Sequence, residues 1–286
     1  MANIRNGTRS VLFLLPMPGL ASLLSSGRIL LALTLFFGIA GTSIAAHPLV
    51  TDDTGTQGKG KFQFELNGEF RRDRKYQDGI LIREDDGESA AALAAGAIDD
   101  VDVIVSFPWA YSRIREDGTL ISDGSGFGDI KLELKWRFFA REGFSLAAKP
   151  GFTVPTGAEE KGFGNGRASY GLTFIIVQGW EGAFVSANGA YIRNGFKLDV
   201  DRQTNRSEIW QANLAAGVDV AKDLKAVANI GTMTNEDRTS SQWPAFLLAG
   251  VIYSVTDNFD IDLGVKRGLN RSEPIFAVLS GIAWRF

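Results

Sequence analysis

Cysteine is absent from this chain of 286 residues, and histidine occurs once, as His47. The absence of cysteine excludes disulfide frameworks, thiolate zinc sites and cysteine nucleophiles. One histidine leaves little for a metal site or a catalytic triad, so we expect no catalytic residue, no metal and no cofactor. The formal charge of −3 provides no basic stripe, and we expect no nucleic acid as a partner.

Proline is scarce as well, with 8 residues, whereas glycine is frequent, with 33. A chain with this balance is neither collagen-like nor a proline-rich disordered polymer. The glycines are placed to serve turns, which is typical of a protein with many short strands.

The first 45 residues contain three arginines and no acid, followed by the apolar run 29–40 and then by small residues. This run of about 12 residues is shorter than the ~20 that a membrane-spanning helix needs. The pattern is typical of a secretory signal peptide, so we assign residues 1–45 to one. We then expect a short periplasmic segment at 46–61 and a single folded unit at 62–286.

From Phe62 onward the sequence alternates between apolar and polar residues with a period of two, which predicts β-strands with different environments on their two faces. The clearest example is Ile130 to Phe138, where every second residue is apolar and the others are charged, because no helix produces that pattern. About twelve such strands follow one another. Every second connection between them is long, and the predicted long loops are 71–87, 112–126, 155–167, 194–206, 234–242 and 268–274.

Alternating short turns and long loops favour an all-β fold, an up-and-down antiparallel transmembrane β-barrel of about 12 strands. The six tryptophans fall near predicted strand ends or in turns, as the aromatic girdles of such barrels require. Charges of both signs lie at mid-strand on the polar face, and only a wet lumen tolerates them. The predicted pore-lining residues are Glu65, Glu69, Lys131, Glu133, Lys135, Arg137, Asp260, Asp262, Lys266 and Arg285.

Four stretches of the sequence resemble the MetA-pathway of phenol degradation family of outer-membrane transporters. The opening His47 to Gly58 is similar to the start of that family's mature chains, and Phe127 to Lys135 to its Gly-Asp strand. Val154 to Gly157 is similar to its Pro-Thr-Gly loop, and Gly281 to Phe286 to its closing strand. The resemblance implies a barrel that imports small molecules and does not catalyse a reaction.

Together these observations predict a channel in the outer membrane of a Gram-negative bacterium, reached by signal-peptide export. We expect it to admit small molecules passively, with aromatic or hydrophobic compounds as its substrates. The expected partners are outer-membrane lipid, small solutes and the barrel-assembly machinery, which typically reads a terminal aromatic such as Phe286. Two alternatives stay open: a closed structural or surface-interaction barrel, and an outer-membrane lipid hydrolase, which the lack of a histidine in the barrel disfavours.

Two features near the mature N-terminus are candidates for a catalytic or metal-binding site. His47 lies some fifteen residues before the first predicted strand, where we expect no partner to be fixed around it. Asp52 and Asp53 lack the glycine and the closing glutamate of a calcium loop, so we interpret them as solvated acids.

Overall fold

The computed structural model describes residues 47–77 and 79–286, so the predicted signal peptide and Ala46 lie outside the described residues. Thirteen β-strands make up most of the described chain, with a 3₁₀ turn at Glu159–Lys161 and a short helix, α1, at Asp199–Thr204. The strands are β1 Phe62–Gln77, β2 Ile80–Ile98, β3 Val101–Glu116, β4 Thr119–Phe127, β5 Ile130–Arg141, β6 Phe144–Val154, β7 Tyr170–Trp180, β8 Ala183–Arg193, β9 Glu208–Ala221, β10 Leu224–Met233, β11 Ala245–Thr256, β12 Phe259–Gly268 and β13 Phe276–Arg285. None of the helices in this part of the chain is long and apolar enough to cross a bilayer.

Twelve of these strands close into a ring, in which each strand is antiparallel to its neighbours. The ring closes where β1 pairs with β13, and β2 links it to β3. The remaining strand, β4, pairs only with residues 109–116 of β3, while β5 pairs with residues 101–106 of β3. The predicted fold class, an up-and-down antiparallel barrel of about 12 strands, is therefore confirmed.

Two of the six predicted long loops are wrong, because residues 71–87 and 112–126 are mostly strand. β1 and β2 stay paired as a hairpin out to Gln77 and Ile80, and β3 and β4 form a second hairpin that turns at Asp117 and Gly118. These stretches are highly charged, and that polarity favoured the loop interpretation. Ion pairs across the strands, such as Arg72 with Asp85 at 2.7 Å, satisfy the charges instead.

The other connections follow the predicted alternation. Turns of two residues join the strands at one end of the barrel, here named the short-turn end, and Glu142 and Asp223 adopt positive φ in two of them. Longer connections at 155–169, 194–207, 234–244 and 269–275 lie at the opposite, long-loop end.

Apolar side chains cover the outside of the barrel, and polar side chains face its interior, as predicted. On β5, Leu134 is 40% exposed whereas its neighbours Glu133 and Lys135 are each 8% exposed. Trp136, Trp180 and Trp284 are exposed near the short-turn end, and Trp109 and Trp210 nearer the long-loop end. Two belts of aromatic residues on an apolar wall are what a bilayer-spanning barrel requires, because the indole ring prefers the boundary between headgroups and hydrocarbon.

This orientation predicts opposite outcomes for arginine at two adjacent positions of β1. Leu66 is 47% exposed on the outer wall, whereas Asn67 faces the interior and bonds to Glu65 at 2.9 Å. Leu66→Arg should cost ~2 to 4 kcal/mol because it moves a cation into the middle of the hydrocarbon. Asn67→Arg should cost far less, since Glu65 and Glu69 flank the site. Folded yields in lipid vesicles measure the contrast, and equal yields would contradict the orientation of β1.

Candidate functional site

Residues 47–57, here named the lumen segment, lie inside the barrel. The His47 ring nitrogen Nδ1 is 2.5 Å from Asp262 Oδ1. The backbone N–H groups of Val50 and Thr51 both donate to Asn229 Oδ1, at 2.8 and 3.2 Å. The expectation that no partner is fixed around His47 is therefore wrong, and residues 47–57 of the segment predicted at 46–61 lie within the barrel.

The lumen segment carries its strongest charge contact at Asp52. The Asp52 carboxylate lies between two lysines of the wall, with Oδ1 2.8 Å from Lys135 Nζ and Oδ2 2.5 Å from Lys149 Nζ. Burial by itself would raise the pKa of this carboxyl, but the two ammonium groups hold it well below its usual range. Behind them Glu133 pairs with Lys131 at 2.6 Å and approaches Lys149 to 3.4 Å. Asp52 thus supplies the negative charge that this lysine-rich part of the wall needs.

Three glycines on the inner wall make room for the start of the lumen segment. A Cβ atom on Gly250 or Gly264 would lie 2.7 or 2.8 Å from the Pro48 ring, closer than real Cβ contacts come. A Cβ on Gly281 would lie 2.7 Å from His47 Nδ1. Since these glycines occupy neighbouring strands β11, β12 and β13, they form a shallow recess without side chains in which His47 and Pro48 sit.

The end of the lumen segment is tied to the opposite side of the wall. Thr54 Oγ1 lies 2.5 Å from Ser145 Oγ of β6, and the Gln57 N–H donates to the carboxylate of Asp102 at 3.1 Å. Ser186 of β8 donates to the Asp52 carbonyl at 2.9 Å. The segment therefore crosses the lumen, and polar groups of several strands replace the water that its backbone would otherwise bind.

A cavity of about 850 Å³ lies between the lumen segment and the long loops. Its apolar lining includes a patch of Leu49 and Val50 of the segment with Met233 and Leu279 of the wall, beside a buried cluster that contains Phe246. Most of the remaining lining is polar or charged. A cavity with a small apolar part and many convergent polar groups is typical of a site for small molecules.

Acidic side chains dominate the cavity toward the long loops. Some are paired: Lys266 lies 2.6 Å from Glu69 and 3.1 Å from Glu273, and Arg71 lies 2.9 Å from Asp86. In the loop 234–244, burial raises the pKa of Glu236 to about 8, an effect that Arg71 only partly offsets. In the middle of the cavity, around Lys135, the ammonium groups are thus paired with carboxylates, whereas carboxylates are in excess toward its mouth.

Six of the ten predicted pore-lining residues contribute to the wall of this cavity. They are Glu65, Glu69, Lys131, Glu133, Lys135 and Lys266. The other four lie elsewhere in the interior: Arg285 pairs with Asp260 at 2.5 Å and Arg137 with Asp100 at 2.7 Å near the short-turn end, while His47 covers Asp262.

Sequence reasoning missed that residues 47–57 enter the lumen, and with it the contacts of Asp52, Lys149 and Asn229 that hold them. Asp52 is not a solvated acid, as expected, but a buried partner of two lysines. A signal was present in the inner faces of β5 and β6, where Lys131, Lys135 and Lys149 face only Glu133, because uncompensated buried charge demands a partner from elsewhere in the chain.

The fold and its contents define a class of protein: a closed antiparallel barrel with an apolar outside and a polar inside, as in outer-membrane barrels. The chain belongs to the family described as "Putative MetA-pathway of phenol degradation", whose model matches residues 47–286. The resemblance inferred from the sequence is thereby confirmed. No curated protein sequence matches the chain.

Three solved structures share the fold. The COG4313 outer membrane channel from Pseudomonas putida F1 is 16% identical, with a TM-score of 0.62 over 82% of this chain and 98% of that chain. The KdgM porin in complex with disordered oligogalacturonate is 8% identical, with a TM-score of 0.53 over 78% and 99%. The translocator domain of the autotransporter NalP from Neisseria meningitidis is 14% identical, with a TM-score of 0.50 over 80% and 89%.

A pH prediction follows from Asp53, which faces Lys135 at 3.7 Å and is adjacent to Asp52. Burial raises the pKa of Asp53 from 3.8 to about 6. In a segment released from the lumen, Asp53 would have its ordinary pKa, so between about pH 4 and 6 the bound segment keeps a proton that the released one loses. Binding of the segment inside the barrel therefore weakens as the pH rises from about 4 to 6 and stays weaker above pH 6. Single-channel conductance should rise across this interval in the parent protein.

The variant Asp53→Asn isolates this group, because the amide cannot ionise but can still accept the hydrogen bond from the Gly55 N–H. We expect its conductance to lose most of the rise between those pH values. A rise of the same size in Asp53→Asn would assign the titration to another group.

Proposed function

We propose that this chain is a passive outer-membrane channel for small molecules, with aromatic or otherwise hydrophobic compounds as its substrates. In this proposal residues 1–45 direct export and are removed, and the barrel resides in the outer membrane of a Gram-negative bacterium. The barrel has no catalytic role and uses no cofactor. The single observation that carries the proposal is the cavity of about 850 Å³ inside a membrane-type wall, closed on one side by a peptide segment.

The way in which the lumen segment is held supports a role in passage. Its contacts are mainly hydrogen bonds and ion pairs, such as those of Asp52 and of the Val50 N–H. Water that enters the lumen can replace such contacts, because a neutral hydrogen bond contributes only ~1 kcal/mol in exchange for solvation and one to a charged group ~1.5 to 3 kcal/mol. The segment can therefore leave its seat without the loss of a large hydrophobic core.

The substrate class rests on the cavity lining and on the family. Leu49, Val50, Met233 and Leu279 offer an apolar patch of the size of a small ring, and polar groups surround it. The family is described by a pathway that degrades phenol, and a phenol combines these two characters. The lumen charges, including Lys131, Glu133 and Lys135, would then set the field that solutes cross.

The end of the chain supports the proposed partners. Phe286 stacks on Phe62 with ring centroids 5.7 Å apart, and the backbones of the two residues exchange hydrogen bonds of 2.8 and 2.9 Å. The Phe286 side chain is 56% exposed toward the surroundings of the barrel. An exposed terminal aromatic at the closing seam is available both to lipid and to the barrel-assembly machinery.

A reversible disulfide lock between the lumen segment and the wall tests the proposal. Because the chain has no native cysteine, no other thiol competes for this disulfide. The side chains of Thr54 and Ser145 touch, so Thr54→Cys with Ser145→Cys places two thiols within reach of a disulfide. In swelling assays of proteoliposomes with benzyl alcohol, benzoate, glucose and glycine, oxidation should block entry and reduction should restore it. Aromatic solutes should enter faster than glucose.

Each single cysteine variant serves as the control, since neither can form the lock. Entry that is equal in the oxidised and reduced double variant would show that the segment does not move during passage. The closed lumen is also what a purely structural barrel would show. No entry of any solute, even after reduction, would favour that alternative.

A further inference from the structure

The two hairpins that extend beyond the barrel carry a layered outer face. On β1, Arg71, Asp73 and Lys75 line the cavity. Because side chains alternate along a strand, the residues between them point away from the cavity and form this outer face. The layer nearest the barrel is aromatic: Phe70 and Tyr111 lie across from Gly87, with ring centroids 6.2 Å apart. On these strands, this layer belongs to the aromatic belt that lies nearer the long-loop end of the barrel.

The next layer is charged and neutralises itself. Arg72, Asp85, Arg113 and Asp123 lie directly opposite one another on four adjacent strands. The signs alternate, and the ion pairs measure 2.7 Å for Arg72 with Asp85 and 2.9 Å for Arg113 with Asp123. Each cation of this layer has its own carboxylate, so the layer needs no further counter-ion.

The third layer breaks this pattern, because it consists of three arginines. Arg74 of β1 lies opposite Arg83 of β2, which lies opposite Arg115 of β3. Within the described residues Arg74 and Arg83 form no ion pair, and Arg115 reaches only Asp85, at 3.7 Å, which Arg72 already holds. Like charges directly opposite each other destabilise a sheet. The row therefore lacks its anion.

We propose that Arg74, Arg83 and Arg115 bind the phosphate of a lipid headgroup in the leaflet that surrounds the long-loop end of the barrel. The three side chains span two strand spacings, roughly 10 Å. Guanidinium groups recognise phosphate oxygens with paired hydrogen bonds, and phosphate carries enough charge to offset more than one of them. This site goes beyond the proposed channel and does not depend on transport.

The height of the row favours a lipid over a free phosphate ion. Four residues separate it from the layer of Phe70 and Tyr111, which is ~13 Å along the strand and ~10 Å along the membrane normal at a tilt near 40°. The headgroup region on each side of a bilayer is ~5 to 8 Å deep. Since arginine side chains extend several ångströms from the backbone, their charged ends can reach phosphates held at the headgroup level.

Native mass spectrometry of the full chain in neutral detergent tests the site with two probes, dioleoyl phosphatidic acid and dioleoylglycerol, which differ only by the phosphate. The parent should retain phosphatidic acid in preference to dioleoylglycerol. The triple variant Arg74→Gln, Arg83→Gln and Arg115→Gln should lose about tenfold in phosphatidic acid occupancy, because three charge-assisted contacts disappear.

A matched control removes the same charge from the short-turn end, where Lys61, Arg141 and Lys222 are exposed. The triple variant Lys61→Gln, Arg141→Gln and Lys222→Gln should bind like the parent. Equal losses in the two triple variants would overturn the site in favour of non-specific attraction. Displacement of the lipid by an equimolar amount of inorganic phosphate would overturn the assignment to a lipid.

Thermal unfolding separates binding from a merely structural role. Without phosphatidic acid, the arginine variant should unfold at the same temperature as the parent or a higher one, since repulsion within the row is gone. Phosphatidic acid should raise the midpoint of the parent and leave that of the arginine variant unchanged. A variant that unfolds earlier without lipid, or that gains as much from lipid as the parent, would contradict the proposal.

Discussion

The contact on which the interior depends is the one between Asp52 and two lysines of the wall, Lys135 and Lys149. A barrel in a membrane cannot leave buried cations uncompensated, because an unpaired charge away from water is costly. Two acids of the wall strands lie near these lysines: Glu133, which is already engaged with Lys131, and Asp102, which lies across from Lys135. Two carboxylates for the three lysines Lys131, Lys135 and Lys149 leave one cation without a partner, and the chain provides the third carboxylate from the residues just before β1.

Several other features follow from this requirement. Because the segment must pass through the lumen to bring Asp52 to the lysines, the wall has to make room for it, and Gly250, Gly264 and Gly281 do so. Asn229 accepts from the segment's backbone where a strand would otherwise be needed. What remains of the lumen is the cavity on the side of the long loops. The same polar contacts between the lumen segment and the wall thus close the lumen and, when they break, allow it to open.

The outer surface of the barrel could be predicted from the sequence, whereas its contents could not. A period of two in residues such as 130–138 reports that one face meets an apolar medium, and this signal is local. The same reasoning failed for the charged hairpins beyond the barrel, because charged residues such as Arg72 and Asp85 are typical of loops. Only the strand register shows that the two side chains pair. Residues 47–57 show no periodicity, and their partners are far away in sequence, as with His47 and Asp262. Only the excess of lysine on β5 and β6 pointed toward them.

The central claim is that the charge of Asp52 holds the lumen segment in place and so keeps the channel closed. The most direct measurement is the single-channel conductance of Asp52→Lys in planar bilayers, beside that of the parent. The substitution sets a third cation against Lys135 and Lys149 and should expel the segment while the wall strands stay assembled. The account predicts a steady conductance severalfold above that of the parent. An assembled barrel with unchanged conductance would contradict it.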